Sequence, residues 1–152
     1  MVVNSDKRAG GVMRKLSAVT LEHRPVIVSD AASVTEACDQ MRDRRAGAVL
    51  VVAPETGRLV GIFTGRDAVC RVLAQRRDPS STCLAEVMTP NPVTMSPDQT
   101  AAEALGLMSA GGFRHVPLVK KERILGVVSR GDFHGVEQNQ HEEECDPWAP
   151  MR

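Results

Sequence analysis

The stretch Gly61-Ile62-Phe63-Thr64-Gly65-Arg66-Asp67 returns 65 residues later as Gly126-Val127-Val128-Ser129-Arg130-Gly131-Asp132. Both copies run from an apolar segment into a hydroxyl residue, with an acid three positions on. Just upstream, Arg58-Leu59-Val60 matches Arg123-Ile124-Leu125 at the same offset. Farther upstream the match continues at an offset of 67: Arg24-Pro25-Val26-Ile27 with Asn91-Pro92-Val93-Thr94, Thr35-Glu36-Ala37 with Ala102-Glu103-Ala104, Met41 with Met108, and Val49–Val52 with Val116–Val119. The change of offset falls in Ala53-Pro54-Glu55-Thr56-Gly57, which has turn chemistry. Length differences belong in loops, so the chain reads as an internal duplication with one hairpin loop longer in the first copy.

Each copy has one reading. A short strand comes first, at 26–29 and 92–95. Helix-start residues follow, then apolar positions spaced i, i+3, i+4, i+7: Val34, Ala37, Cys38 and Met41 in the first copy, Ala101, Ala104, Leu105 and Met108 in the second. Two strands joined by a turn come next, at 47–53 with 59–63 and at 114–119 with 124–128. A last helix is expected near Gly65 and near Arg130. The order is β-α-β-β-α, twice, an α/β (α+β) architecture. A single unit of this size buries little apolar surface. Two copies packed through their sheets with pseudo-twofold symmetry are therefore expected. The boundaries read as a flexible N-terminal segment (1–15), repeat one (16–77), a linker (78–83), repeat two (84–136) and a polar tail (137–152).

At this point the sequence resembles the CBS domain family, named after cystathionine β-synthase. The two Gly-x-x-Thr/Ser-x-x-Asp copies carry the resemblance, together with Val87-Met88-Thr89-Pro90 and Phe113-Arg114-His115-Val116-Pro117. One copy is a weak signal; two in register within a duplicated chain are strong. The resemblance implies a tandem pair (a Bateman module) that binds adenosine-containing ligands in clefts mixing the two repeats. It also implies a homodimer forming a four-repeat disc, and a regulatory role, such as energy sensing, toward an effector protein the sequence does not identify.

The motif has a structural reading and a functional one. A hydroxyl and an acid at i and i+3 form a capping box. The same carboxylate is placed to accept hydrogen bonds from a ribose diol, while the hydroxyl and free backbone N–H groups meet phosphate. Carried over from the family, the main cleft comprises Thr64, Arg66 and Asp67 facing Val93, Thr94, Phe113, Arg114 and His115. The second comprises Ser129, Arg130 and Asp132 facing Val26, Ile27, Ala46, Gly47 and Ala48. Arg114 and His115 give the first cleft cations that Ala46-Gly47-Ala48 denies the second, although the pair also fits an ordinary strand entry. Val26, Val93 and Ile62 are expected as apolar walls for adenine, with plain core as the other reading of each and the preferred one for Ile62. The expected ligand is AMP, ADP or ATP, with S-adenosylmethionine or NAD as alternatives. The rival reading is a protein-interaction module with vestigial clefts.

Composition narrows the remainder. Nineteen basic and nineteen acidic residues balance, so no general footprint for a nucleic-acid polymer exists. With three Phe, one Trp and no Tyr, stacking platforms for bases are scarce. No apolar run approaches membrane-spanning length and no leader is recognised, so the cytoplasm is expected, with no membrane partner. The chain lacks a phosphate-loop motif, a nucleophile elbow and a His-Glu-x-x-His site. A non-enzymatic protein without catalytic residues, catalytic cofactor or metal is expected. Cys38 and Cys70 read as small buried residues on helices. His141 and Glu142–Cys145 read as a solvated tail. Val69, Val72 and Leu73 read as exposed apolar positions for dimerisation.

Overall fold

The computed structural model describes residues 14–19 and 24–133. The chain forms a mixed α/β fold of two repeats, divided into two compact units. One unit is residues 25–92. The other combines residues 93–133 with the described residues before 25. The expectations for residues 1–13 and the tail, and for the last helix of repeat two beyond Asp132, lie outside the described residues.

The first unit holds β1 (Ile27–Ser29), α2 (Val34–Arg44), β2 (Ala48–Val52), β3 (Leu59–Thr64), a short α3 (Gly65–Asp67) running into a π-helical stretch (Ala68–Leu73), α4 (Leu84–Val87) and β4 (Thr89–Pro90). (Helix α1, Leu16–Val19, belongs to the second unit.) The sheet order is β1-β2-β3-β4. β1 is parallel to β2, with Val28 opposite Val51. β2 and β3 form an antiparallel hairpin, with Leu50 opposite Ile62 and Ala48 opposite Thr64. β4 adds to the far edge, Ile62 opposite Thr89.

α2 starts where the sequence says it should. Glu36 N–H donates to Ser33 Oγ at 3.1 Å, and Ser33 N–H donates to Glu36 Oε2 at 2.9 Å, a reciprocal cap. The helix buries Val34, Ala37 and Met41 against Val49, Val51 and Phe63. It ends at Arg45, whose left-handed φ of 50° closes the last turn.

The second unit repeats this design. It holds α1 (Leu16–Val19), α5 (Ala101–Gly111), β5 (His115–Lys120), β6 (Arg123–Ser129) and a 3₁₀ turn (Arg130–Asp132). α5 has the same cap, between Thr100 and Glu103, and buries the matching Ala101, Ala104 and Met108. Gly112 takes the left-handed position that Arg45 takes in the first copy, at no steric cost. The β5–β6 hairpin shifts register between Leu118 and Val119, the counterpart of the shift between Val51 and Val52. The strand expected at 92–95 reduces to one bridged residue, Met95 beside Leu118. Pro92 has no N–H to extend the ladder.

One feature runs across the repeat boundaries. Leu84 N–H donates to Ala32 O and Val34 N–H to Thr82 O; Leu16 N–H donates to Gln99 O and Ala101 N–H to Arg14 O. Likewise Ala85 N–H meets Asp30 O, and Ser17 N–H meets Pro97 O. These bonds are the same ones at equivalent positions. Each repeat's lead-in helix is therefore held by the other repeat: α4 by the first, α1 by the second. Leu84 and Leu16 are fully buried in the two respective cores. Residues 14 and 15, expected within a flexible segment, are paired along this seam, Lys15 bridging Thr100. The expected linker is a structured turn: Asp78 accepts from Ser80 N–H and Oγ, and Thr82 Oγ1 donates to the Asp78 carbonyl at 2.7 Å.

Candidate functional site

The end of β3 presents the first motif. Thr64 is extended, and Gly65 begins the helix. Asp67 Oδ2 accepts from Thr64 N–H at 2.9 Å and from Thr64 Oγ1 at 3.1 Å, while Asp67 N–H donates to Thr64 Oγ1 at 3.3 Å. Only 9% of Asp67 is exposed. A carboxylate so enclosed is held in one orientation by donors aimed at one of its oxygens, leaving the other for a further donor. That second oxygen lies 3.5 Å from Arg71 Nε. Arg71 Nη1 also donates to the carbonyls of Val87 and Met88, at 3.2 and 2.9 Å. Arg71 is a site residue that the sequence reading missed; the signal available was its i+4 spacing from Asp67.

Within the same unit, Ala48 pairs with Thr64 across the hairpin, and Gly65 N–H donates to Gly47 O. The strip Ala46-Gly47-Ala48, assigned to the second cleft, therefore lies beside Thr64 of the first. Val26 is core, and Ile27 is half-exposed at the start of β1. Arg66 is exposed.

The other unit has the matching arrangement. Ser129 N–H donates to Asp132 Oδ2 at 2.8 Å. His115 pairs with Ser129, and Arg130 N–H donates to Arg114 O. Two arginines and a histidine thus gather at the Ser129–Asp132 end of this hairpin. Phe113 packs into this unit's core with its ring over Gly111, where a Cβ would collide with it. Val93 and Thr94 are exposed. The structure brings Thr64, Asp67 and Ala46–Ala48 together in one unit, and Arg114, His115, Ser129, Arg130 and Asp132 together in the other.

Two expectations need correction. Val72 is buried in the core of its unit, while Val69 and Leu73 are exposed. Their helical stretch is π-helical, with Ala74 N–H donating to Val69 O, and it turns Ala68 and Val72 toward the core. Cys70 sits on that exposed side, not in the core. Ile62 is nearly fully buried, in line with its reading as plain core. Among the described residues no group of three or more His, Cys, Asp or Glu is placed to hold a metal ion. Among them, too, no helix is long and apolar enough to cross a membrane.

Comparison with known proteins gives a consistent result. The CBS domain family model matches residues 12–73 and again residues 84–136. The uncharacterized protein YlbB of Bacillus subtilis (strain 168) is 37% identical over 106 residues, covering 70% of this chain and 71% of that protein. CBSCBSPB2 of Arabidopsis thaliana, a CBS domain-containing protein, is 34% identical over 105 residues, covering 69% of this chain; the match spans only 19% of the plant protein. Among solved structures, the CBS-domain protein ATU1752 of Agrobacterium tumefaciens superimposes with a TM-score of 0.71 at 30% identity, covering 78% of this chain and 90% of that one. PAE2072 of Pyrobaculum aerophilum, solved in complex with AMP, has a TM-score of 0.72 at 26% identity, covering 78% and 88%.

Proposed function

Because this chain belongs to the CBS domain family, carrying the domain at residues 12–73 and again at 84–136, we propose that it is a regulatory module that binds an adenine nucleotide and signals its presence to a partner protein. The observation that carries this reading is the enclosed Asp67 carboxylate, fixed by Thr64 at a hairpin end and repeated in register by Asp132 with Ser129. A buried carboxylate whose threonine donors use one oxygen retains acceptor capacity on the other for a ribose diol. That a related protein was solved with AMP supports the ligand class.

In this reading Thr64, Arg66 and Asp67 serve one nucleotide. Ser129, Arg130 and Asp132, beside Arg114 and His115, serve a second. The cations Arg114, His115 and Arg130 favour a phosphorylated ligand, AMP, ADP or ATP, over S-adenosylmethionine. The module acts in the cytoplasm as a homodimer, with exposed Val69 and Leu73 in the contact; light scattering at a monomer mass would remove that part.

The pairing of Arg71 with Asp67 favours a second reading, in which the protein's own side chains fill the site and the module serves only to bind protein. Isothermal titration of AMP, ADP, ATP and S-adenosylmethionine into wild type and Asp67→Ala separates the two. Saturable binding weakened by the substitution supports the nucleotide module. Silence from every ligand supports the second reading.

A further inference from the structure

The Arg71 guanidinium joins two parts of its unit that have separate roles in the nucleotide reading. Nε faces Asp67 Oδ1 at 3.5 Å, and Nη1 holds the carbonyls of Val87 and Met88. Thr64 already fixes Asp67 through the other carboxylate oxygen. Arg71 therefore adds little to the acid's placement; it occupies the oxygen left for an incoming donor. The Nε contact is longer than the usual 2.7–2.9 Å of a charge-assisted hydrogen bond, and nearly half of the Arg71 side chain is exposed. A ligand hydroxyl aimed at Oδ1 meets a weak competitor.

The segment at the far end of this contact is lightly held. α4 is four residues long and β4 two. Met88 N–H donates to Leu84 O at 2.8 Å, and Asn91 N–H donates to Val60 O at 3.0 Å. Asn91 has a left-handed φ of 48°, which asparagine tolerates better than most residues. One residue later, between Pro92 and Val93, the chain leaves its first compact unit for the second. The segment tied to Arg71 is thus the one that leads to the crossing. In the sequence, the offset of 65 sets Val136 opposite Arg71.

We propose that Arg71 is a latch that reports occupancy of Asp67 to residues 87–91. The proposal rests on the nucleotide reading above. When a ribose hydroxyl takes Asp67 Oδ1, Arg71 loses its ion-pair partner and swings away, releasing the Val87 and Met88 carbonyls. The Met88 and Asn91 amides then open more often. Only hydrogen bonds and an ion pair are exchanged.

Hydrogen exchange on the full chain, with and without saturating AMP, tests this in wild type, Arg71→Met, Arg71→Lys and Asp67→Asn. In wild type, AMP should speed exchange at Met88 and Asn91 by about tenfold. Arg71→Met should exchange at the fast rate with or without AMP. Arg71→Lys keeps the charge but loses the forked donors, and should follow the Met variant. Asp67→Asn should exchange fast without ligand, and it keeps the test alive if Arg71→Met does not fold. Wild-type rates in both Arg71→Met and Asp67→Asn overturn the latch, whatever AMP does. AMP binding with unaltered exchange at 88 and 91 overturns the latch and leaves the nucleotide reading standing. Where AMP does not bind saturably, ADP or ATP takes its place in the test, and silence from all three overturns that reading and the latch with it.

Discussion

Thr64 and Asp67 hold each other from both sides: Asp67 N–H donates to the threonine hydroxyl, and the Thr64 N–H and hydroxyl both donate to one oxygen of the carboxylate. The cap and the proposed ligand contact thus share one side chain. Asp67→Ala should abolish AMP binding at this site and also cost about 1 kcal/mol of stability, the usual value of a lost cap. Titration calorimetry reads the first loss and urea denaturation the second. Thr64→Ser, which keeps the hydroxyl, should leave binding within about threefold of wild type, since a change under 1 kcal/mol is all that a lost methyl contributes.

The second motif should titrate independently. Asp132→Ala removes the acceptor of the Ser129 N–H and should delete one class of site while the Asp67 class persists. Calorimetric stoichiometry checks this: a fall from two nucleotides per chain to one is the expected result. A single site in wild type that survives Asp132→Ala would leave Asp132 with only a capping role.

The exchanged lead-in helices make a reciprocal prediction. Leu16 lies in the core of the second repeat and Leu84 in that of the first. Leu16→Ala should loosen the amides of α5, and Leu84→Ala those of α2, each at a cost of about 2–5 kcal/mol. Denaturant melts give the magnitude, and site-resolved hydrogen exchange gives the location. An effect confined to the repeat whose sequence contains the leucine would contradict the exchange.

Gly61 faces the Met88 side chain so closely that a Cβ would overlap its Sδ and Cγ. Gly61→Ala should push Met88 outward and weaken the pairing of β4 with β3. The expected cost is about 1–3 kcal/mol, typical of overpacking, and the double variant Gly61→Ala with Met88→Ala should recover part of it.

Burial, with help from the negative charge of Asp39, raises the Cys38 thiol above its ordinary range. Cys70 and Cys83 are exposed. Iodoacetamide at mildly alkaline pH, followed by peptide mapping, should label Cys70 and Cys83 well before Cys38. The folded state holds the Cys38 proton more tightly than the unfolded chain. Its contribution is complete below the ordinary thiol range and declines as pH rises through the elevated folded value. Cys38→Ala should flatten that alkaline slope.

Much of this fold can be read from the two offsets. Val28 beside Val51 and Met95 beside Leu118 are one pairing written twice, and the hairpin register slips at matching points. Helix faces followed the apolar spacing wherever the helix was long, as with Val34, Ala37 and Met41. At 68–73 no spacing was read, and two single assignments reversed: Val72 lies inward and Cys70 outward. The four-residue helices α1 and α4 are too short to show any period, so their exchange between repeats left no trace in the pattern. Arg71 was hidden for another reason. Its partners include backbone carbonyls sixteen and seventeen residues away, and main-chain acceptors carry no residue identity to be read.

The borrowed helices also bear on how such a chain arises. A solitary ancestral copy, carrying its lead-in helix but lacking a second copy to lend one in return, would leave the groove beside its own α2 counterpart unfilled. Two separate copies could satisfy one another only by swapping that helix between molecules, at whatever concentration the cell supplied. Fusing the genes end to end turns the swap into an intramolecular event, with an effective concentration set by tether length instead of by expression. In the tandem chain the seam at Leu16 and Leu84 is closed within one molecule.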